Sequence, residues 1–402
     1  MQALVIVPTR NRAAIARNAI SSLTDNKDVG VLVSDNSTDG DAAILERFCA
    51  AAGVDYIRPP APLAMAAHWD WALEQALRQP ATHFSFLTDR MIFKPGELNT
   101  LLAIAARYPD KIICYMHDRI ADHATPVRLE QAPWTGNIFE VQSALILSLV
   151  ANSVMYDCSA PRMLNSIVPR SVLEEIKKTF GTVFSSIAPD WNFCFRSLAT
   201  VQSVLFYDRA CLVHYASDQS NGESQNRGLA NSAHRDFIAN LPQPLDHAAP
   251  LPHVHTVWNT IISEYFTVNA PGFPALHRGK YLQALAVGVG AIEDPDKRLA
   301  MKAMLEREGW AGELPRPVLP RSVSFPTTFE AIAYSIDHPR DPQENWPSSQ
   351  PPTELKGSIP VEHPAPLPRA GALKWKITSA LDRSLIAGPL RTMLERHLLW
   401  RL

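Results

Sequence analysis

Residues 3–7 (ALVIV) form an unbroken apolar, β-rich run that Pro8 ends, and no other feature narrows the possible folds as much. A strand of this kind is buried on both faces, which is the situation inside a parallel sheet covered by helices. The following residues agree. After the polar loop Pro8-Thr9-Arg10-Asn11-Arg12, residues 13–23 place Ile15, Ala19, Ile20 and Leu23 at helical spacing. Residues 29–33 are a second apolar run, stopping at Ser34-Asp35-Asn36-Ser37-Thr38-Asp39-Gly40. Strand, helix and strand make a βαβ unit, so both polar loops leave the sheet at the same edge. Open α/β sheets bind their ligands at that edge.

The alternation continues. Helix (42–52), strand (54–57) and helix (65–77) lead into residues 84–96, FSFLTDRMIFKPG, a short β-prone run that brings Asp89 and Arg90 together to a strand end. A helix at 98–107 and a strand at 111–115 follow. Residues 118–137 are polar and are expected to be irregular. Residues 139–156 are apolar, and within them the longest apolar stretch, 141–155, carries Gln142, three serines and Asn152, which suit buried structure better than a membrane span. An amphipathic helix at 171–180, a helix at 191–198 opening on Pro189-Asp190, and short strands at 201–207 and 211–215 come next. Residues 217–231 read as a mobile polar loop. Past Pro242, helices are expected at 255–266, 281–292 and 297–308. A large share of the 33 prolines falls in 313–368.

Bulk properties exclude several classes. A formal charge of −2 offers no basic field for nucleic acid. The five cysteines (Cys49, Cys114, Cys158, Cys194, Cys211) are scattered without CxxC spacing, which fits a reducing compartment rather than a disulfide framework or zinc cluster. The N-terminal apolar run is too short for a signal peptide, so a cytoplasmic location is expected, with contact at the inner membrane face through residues 372–402 as an added possibility. That basic, amphipathic tail would lie on an anionic membrane, dock on the protein or mediate self-association.

Read from the residues alone, Asp35 is placed to accept from a pyrimidine N3–H or ribose hydroxyls, and Arg10 or Arg12 to meet a phosphate. The same residue types also form ordinary turns. No GxGxxG sequence supports a dinucleotide site of that kind. Asp190, at the start of a helix, is either a general base or a helix N-cap. His214 is a packed histidine or a ligand.

VIVPTRNR, VSDNSTDG and FLTDRMIFKPGEL resemble, in order and spacing, the three N-terminal motifs of glycosyltransferase family 2, and the likeness runs from Ala3 to about Gly222. It implies a GT-A-like fold, a Rossmann-like and mostly parallel sheet flanked by helices. The expected organisation is a domain over 1–240, with a donor half at about 1–117 and an acceptor half at about 118–240. A helical appendage (241–312), a Pro-rich linker or wrapping segment (313–371) and a basic amphipathic helix (372–402) complete it. The activity implied is inverting transfer of a sugar from a nucleotide-diphosphate donor, UDP-type favoured, to a hydroxyl acceptor such as a glycan or lipid-linked sugar. Surface polysaccharide or lipopolysaccharide synthesis is the implied setting. The alternative is a catalytically silent sugar-nucleotide-binding or scaffold protein.

Carried over residue by residue, the resemblance puts Pro8, Thr9, Arg10, Arg12, Asp35, Asp89 and Arg90 at the donor. Asp190 becomes the base, in an E-D-x-x-x-x-x-R signature whose first acid is Pro189 here. Asp89 then falls at a sugar-ribose position and His214 at one that ligates Mg²⁺ or Mn²⁺ or touches the diphosphate, so these two are the candidate metal residues. Arg90 stands where an acidic ligand is expected, which implies a weakened or absent metal site with Arg90 neutralising diphosphate charge. A structural Asp89–Arg90 ion pair, or a register in which Asp89 alone holds the metal, are the competing readings.

Overall fold

In the computed structural model, residues 2–338 are described except 25, 27, 133, 155–158, 229–231, 242–246 and 316–321, together with the backbone of 359–361. The Pro-rich segment lies largely outside the described residues, and the basic tail 372–402 entirely so.

Strand β1 (Ala3–Thr9) is buried throughout and sits between two parallel neighbours, β2 (Val29–Asp35) and β4 (His83–Phe86). The short β3 (Asp55–Ile57) extends the parallel set beyond β2. Helices α1 (Ala13–Ser21), α2 (Asp41–Ala52) and α3 (Met65–Ala76) make the crossovers. Arg12, at the N-cap of α1, provides no side-chain cap, and Asp41 accepts from Ala13 N–H at 2.9 Å instead. A carboxylate from the next crossover therefore satisfies an orphan donor of this one.

The sheet then turns mixed. A four-residue connection (87–90) that turns at Asp89-Arg90 leads to β5 (Met91–Phe93), which pairs antiparallel with the end of a later long strand, described below. Helix α4 (Glu97–Arg107) leads into β6 (Ile113–Ala121), and β7 (Val127–Glu130) folds back on it. The segment expected to be irregular is thus mostly a hairpin. Arg119, Arg128 and Glu130 are its outward, partly exposed positions, as in half-exposed antiparallel strands, while Asp118 is buried. After β8 (Ile138–Gln142) and α5 (Ser143–Ala151), β9 (Ser166–Pro169) bridges β4 and β6 antiparallel to both. Helices α6 (Arg170–Phe180) and α7 (Pro189–Thr200) precede β10 (Ser203–His214). This last strand runs parallel to β6 and antiparallel to β8. It is one strand with shifted register around Tyr207 to Leu212 rather than the two expected from the sequence, the polar Asp208-Arg209 marking a bulge.

Residues 217–231 contain more structure than a loop: a 3₁₀ turn (Ser217–Gln219) and α8 (Asn221–Arg227), capped where Ser220 accepts from Glu223 N–H. Helix α9 (Ser232–Ala239) follows, then α10 (Val257–Val268), α11 (Arg278–Gly290) and α12 (Pro295–Arg307). Trp258, Ile261, Tyr281 and Leu285 belong to the same continuous core as Leu4, Phe86 and Phe193. The 5.3 Å edge contact of Phe195 on α7 with Tyr265 on α10 lies in that seam. A short β11 (Val323–Phe325) and α13 (Thr328–Asp337) cover β7 and β6. There the buried pair Lys94–Asp118 (2.7 Å) also receives the Ser335 hydroxyl.

The cysteines among the described residues (Cys49, Cys114, Cys194, Cys211) are buried and unpaired with one another. No helix among the described residues is long and apolar enough to cross a membrane.

Candidate active site

Loops from the carboxyl ends of β1 and β4, the start of α7 and the helices after β10 enclose a cavity of about 910 Å³. That is near the upper end for a small-molecule site. Pro8, Thr9, Arg10, Arg12, Asp89, Arg90, Asp190 and His214 all line it, so eight of the nine positions singled out in the sequence converge on one space.

The ninth, Asp35, does not line it. Asp35 is fully buried behind the wall, where Oδ1 accepts from Ser37 N–H (2.8 Å) and Oδ2 from the Tyr56 hydroxyl (2.8 Å). Its contact to Ser37 is an Asx turn, so the carboxylate shapes the loop. The neighbour Asn36 lines the cavity instead and clamps Leu63 through both its backbone N–H and C=O.

Asp89 projects from the β4–β5 turn, almost wholly buried. Its Oδ2 accepts from Thr9 Oγ1 at 2.9 Å and pairs with Arg12 Nε at 3.0 Å. Asp89 is therefore paired with Arg12, where the sequence suggests an Asp89–Arg90 pair. Arg90 turns the other way. The β5–β10 pairing, extended by Tyr215 N–H donating to Arg90 C=O (3.0 Å), sets it beside His214, with Nη1 2.7 Å from His214 Nε2. A guanidinium can only donate, so Nε2 is the acceptor and the imidazole is neutral. Burial, then the charge of Arg90, drives the His214 pKa well below its ordinary value. Burial also lowers Arg90 to about 10, with the Asp89 charge opposing, and it remains a cation at neutral pH.

These contacts do not suit a divalent cation at the two positions matched to metal ligands. The lone pair of His214 points at a guanidinium, and the inward oxygen of Asp89 is shared by a hydroxyl and Arg12. No cluster of three or more His, Cys, Asp or Glu with metal-binding geometry occurs among the described residues. The local charge suits an anion.

Asp190 lines the same cavity from α7. Ala188 occupies the N-cap and Pro189 the first turn, so Asp190 is inside the helix and is not its N-cap residue. Burial raises its pKa, while the Arg162 guanidinium and first-turn N–H groups pull it back. Arg162 was not anticipated. It enters from the loop before β9, lines the cavity and lies over the Trp191 ring at 5.2 Å. A single arginine in a loop carried no signal that it would face Asp190.

Of the tryptophans on α3, Trp69 lines the cavity and also packs in the core, against Phe86 (5.4 Å) and edge-on to Phe184 (5.6 Å). Trp71 is packed against the core, partly buried. On the open side, Arg10 is held by Asp236 of α9 through two contacts, at 2.7 and 3.2 Å. Glu264 of α10 stands behind Asp190. It is fully buried and accepts from Ala188 N–H (2.9 Å) and Asn192 Nδ2 (2.9 Å).

Residues 4–173 match the model of glycosyl transferase family 2. All three motifs read from the sequence fall inside that match, which spans the parallel strands and the start of the mixed part of the sheet. Asp190 and His214 lie past the end of the family match. No curated protein matches the chain. Among solved structures it is similar to S. aureus TarS 1-349, with a TM-score of 0.42 and 16% identity over 75% of this chain and 83% of that one. The same S. aureus protein in complex with UDP-GlcNAc gives 0.42 and 14%, over 75% and 84%.

Proposed function

We propose that this glycosyltransferase moves a sugar from a nucleotide-diphosphate donor, UDP-type first, to a hydroxyl of a glycan or lipid-linked acceptor, with inversion. The observation that carries the reading is the convergence, in one cavity of a family 2 chain, of Arg12 and Arg90 on one wall with Asp190 on another. The acceptor oxygen attacks the anomeric carbon and Asp190 takes its proton. The bond from that carbon to the diphosphate breaks, and the nucleoside diphosphate leaves with the electron pair. A carboxyl whose pKa is raised by burial is a stronger base than an ordinary one.

Charge builds on the leaving diphosphate as this happens. Arg90, with Arg12 beside it, offsets that charge as fixed donors, the work done elsewhere by a metal ion. Arginine forks suit phosphate oxygens in geometry as well as charge. Thr9 and Asp89 form the floor near the ribose and sugar. A role in surface polysaccharide or lipopolysaccharide assembly accompanies the reading as the setting for such an acceptor.

A thermal-shift and donor-hydrolysis screen of UDP-, GDP-, CMP- and dTDP-sugars, with Mn²⁺ and with EDTA, tests it. Stabilisation by one nucleotide class and release of that nucleotide in EDTA are expected. No stabilisation by any of them would sink the transferase reading.

A further inference from the structure

Glu264 is a fully buried carboxylate lying between α10 and the first turn of α7. Burying such a group is costly unless its oxygens are satisfied, and here they are. One oxygen takes the N–H of Ala188, the N-cap residue of α7, whose side chain cannot cap. The other takes the Asn192 side chain, whose own oxygen accepts from Ser185, and Ser185 in turn accepts from Arg196. The Ser186 hydroxyl also bonds to it. The connection 185–188, with Ser186 in the left-handed region at φ 67°, is thereby tied to a helix that joins the chain more than sixty residues later. Glu264 does for α7 what a capping side chain would, from outside the helix.

We propose that Glu264 is the positioning residue of this site: it fixes the first turn of α7, and through it the direction and the proton affinity of Asp190. This rests on the reading of Asp190 as the base. Two carboxylates at one helix start each disfavour the ionisation of the other. The charged groups facing Glu264 are Asp190 and Arg196, both on α7, and Arg162 faces Asp190 from the opposite side. Burial, assisted by Asp190, raises the Glu264 pKa to about 7, so its charge changes in the range where the enzyme would work.

Glu264→Gln keeps the size and can still accept from Ala188 N–H, but removes the charge. With the donor selected by the screen, its nucleotide affinity and donor KM should stay within about twofold while kcat falls roughly tenfold or more, as expected for a weaker base. The acidic limb of kcat against pH should move to lower pH. Wild-type kcat with an unmoved limb would overturn the proposal. So would loss of donor binding in step with kcat.

An activity-independent reading uses chain labelled with ¹³C at the Asp and Glu side-chain carboxyls. The Glu264 midpoint should fall in Asp190→Asn, a variant that also serves if Glu264→Gln does not fold. An unchanged midpoint defeats the coupling whether or not sugar is transferred. A shifted midpoint in a chain that turns over no donor leaves the coupling standing and defeats the transferase reading instead.

Discussion

Removing Arg90 separates a metal-free phosphate site from a metal site that happens to contain an arginine. The guanidinium is fixed by the β5–β10 pairing and by its contact with His214 Nε2 at 2.7 Å. It holds its proton at neutral pH, with a pKa near 10, so a bound diphosphate would meet a full cation. Hydrogen bonds to charged groups contribute about 1.5–3 kcal/mol, so Arg90→Ala should weaken UDP binding about ten- to a hundredfold. Uridine, which has no phosphate, should bind both proteins alike. Titration calorimetry in EDTA with UDP and uridine measures the difference. Arg90→Asp adds a carboxylate beside Asp89 and leaves His214 without its donor. Its UDP affinity should be poor in EDTA and partly restored by Mn²⁺, unlike the wild type. Wild-type UDP binding that collapses in EDTA, or Arg90→Ala binding UDP as tightly as wild type, would refute the reasoning.

Other consequences follow from contacts around the cavity. Asp236→Ala releases Arg10 from a pair that an incoming phosphate must displace, so UDP should bind more tightly, by a few fold, in the same calorimetric assay. Lys94→Met strands the buried Asp118, which would cost about 3–5 kcal/mol in urea unfolding; a loss under 1 kcal/mol would contradict the buried-pair account. Glu264 also makes stability depend on pH. Its pKa rises from the ordinary 4.5 to about 7 on folding. The folded state then holds the proton more tightly, so this contribution is full below pH 4.5 and is lost as pH rises through 7. Relative to Glu264→Gln, wild type should lose about 3 kcal/mol between pH 4.5 and 8. Parallel pH–stability curves for the two proteins would argue against it.

The parts of this fold that were readable from sequence are those where local pattern and tertiary setting agree. Residues 3–7 have no polar face, and a central parallel strand needs none. Asp89, Arg90 and Asp190 were legible because a turn or helix start ties them to a strand edge. Asp35 lies away from the cavity for a definite reason. An aspartate that forms an Asx turn and one that meets a ligand occupy the same kind of loop, and only the position of Tyr56 decides between them. The polar residues 118–137 hid a hairpin because a half-exposed strand is itself polar. Glu264 was invisible for another reason: nothing within α10 reveals that this helix packs on α7. The partner of Arg90 was equally hidden, since sheet register sets the His214 contact.

The claim at the centre is that Asp190 acts on the acceptor proton while the arginines hold the donor. Asp190→Asn, assayed side by side for nucleotide affinity and for sugar transfer or donor hydrolysis, tests it most directly. Removing the base should lower turnover about 10²- to 10⁴-fold and leave UDP affinity within about twofold. Undiminished turnover in Asp190→Asn, or an equal loss of nucleotide binding, would contradict it.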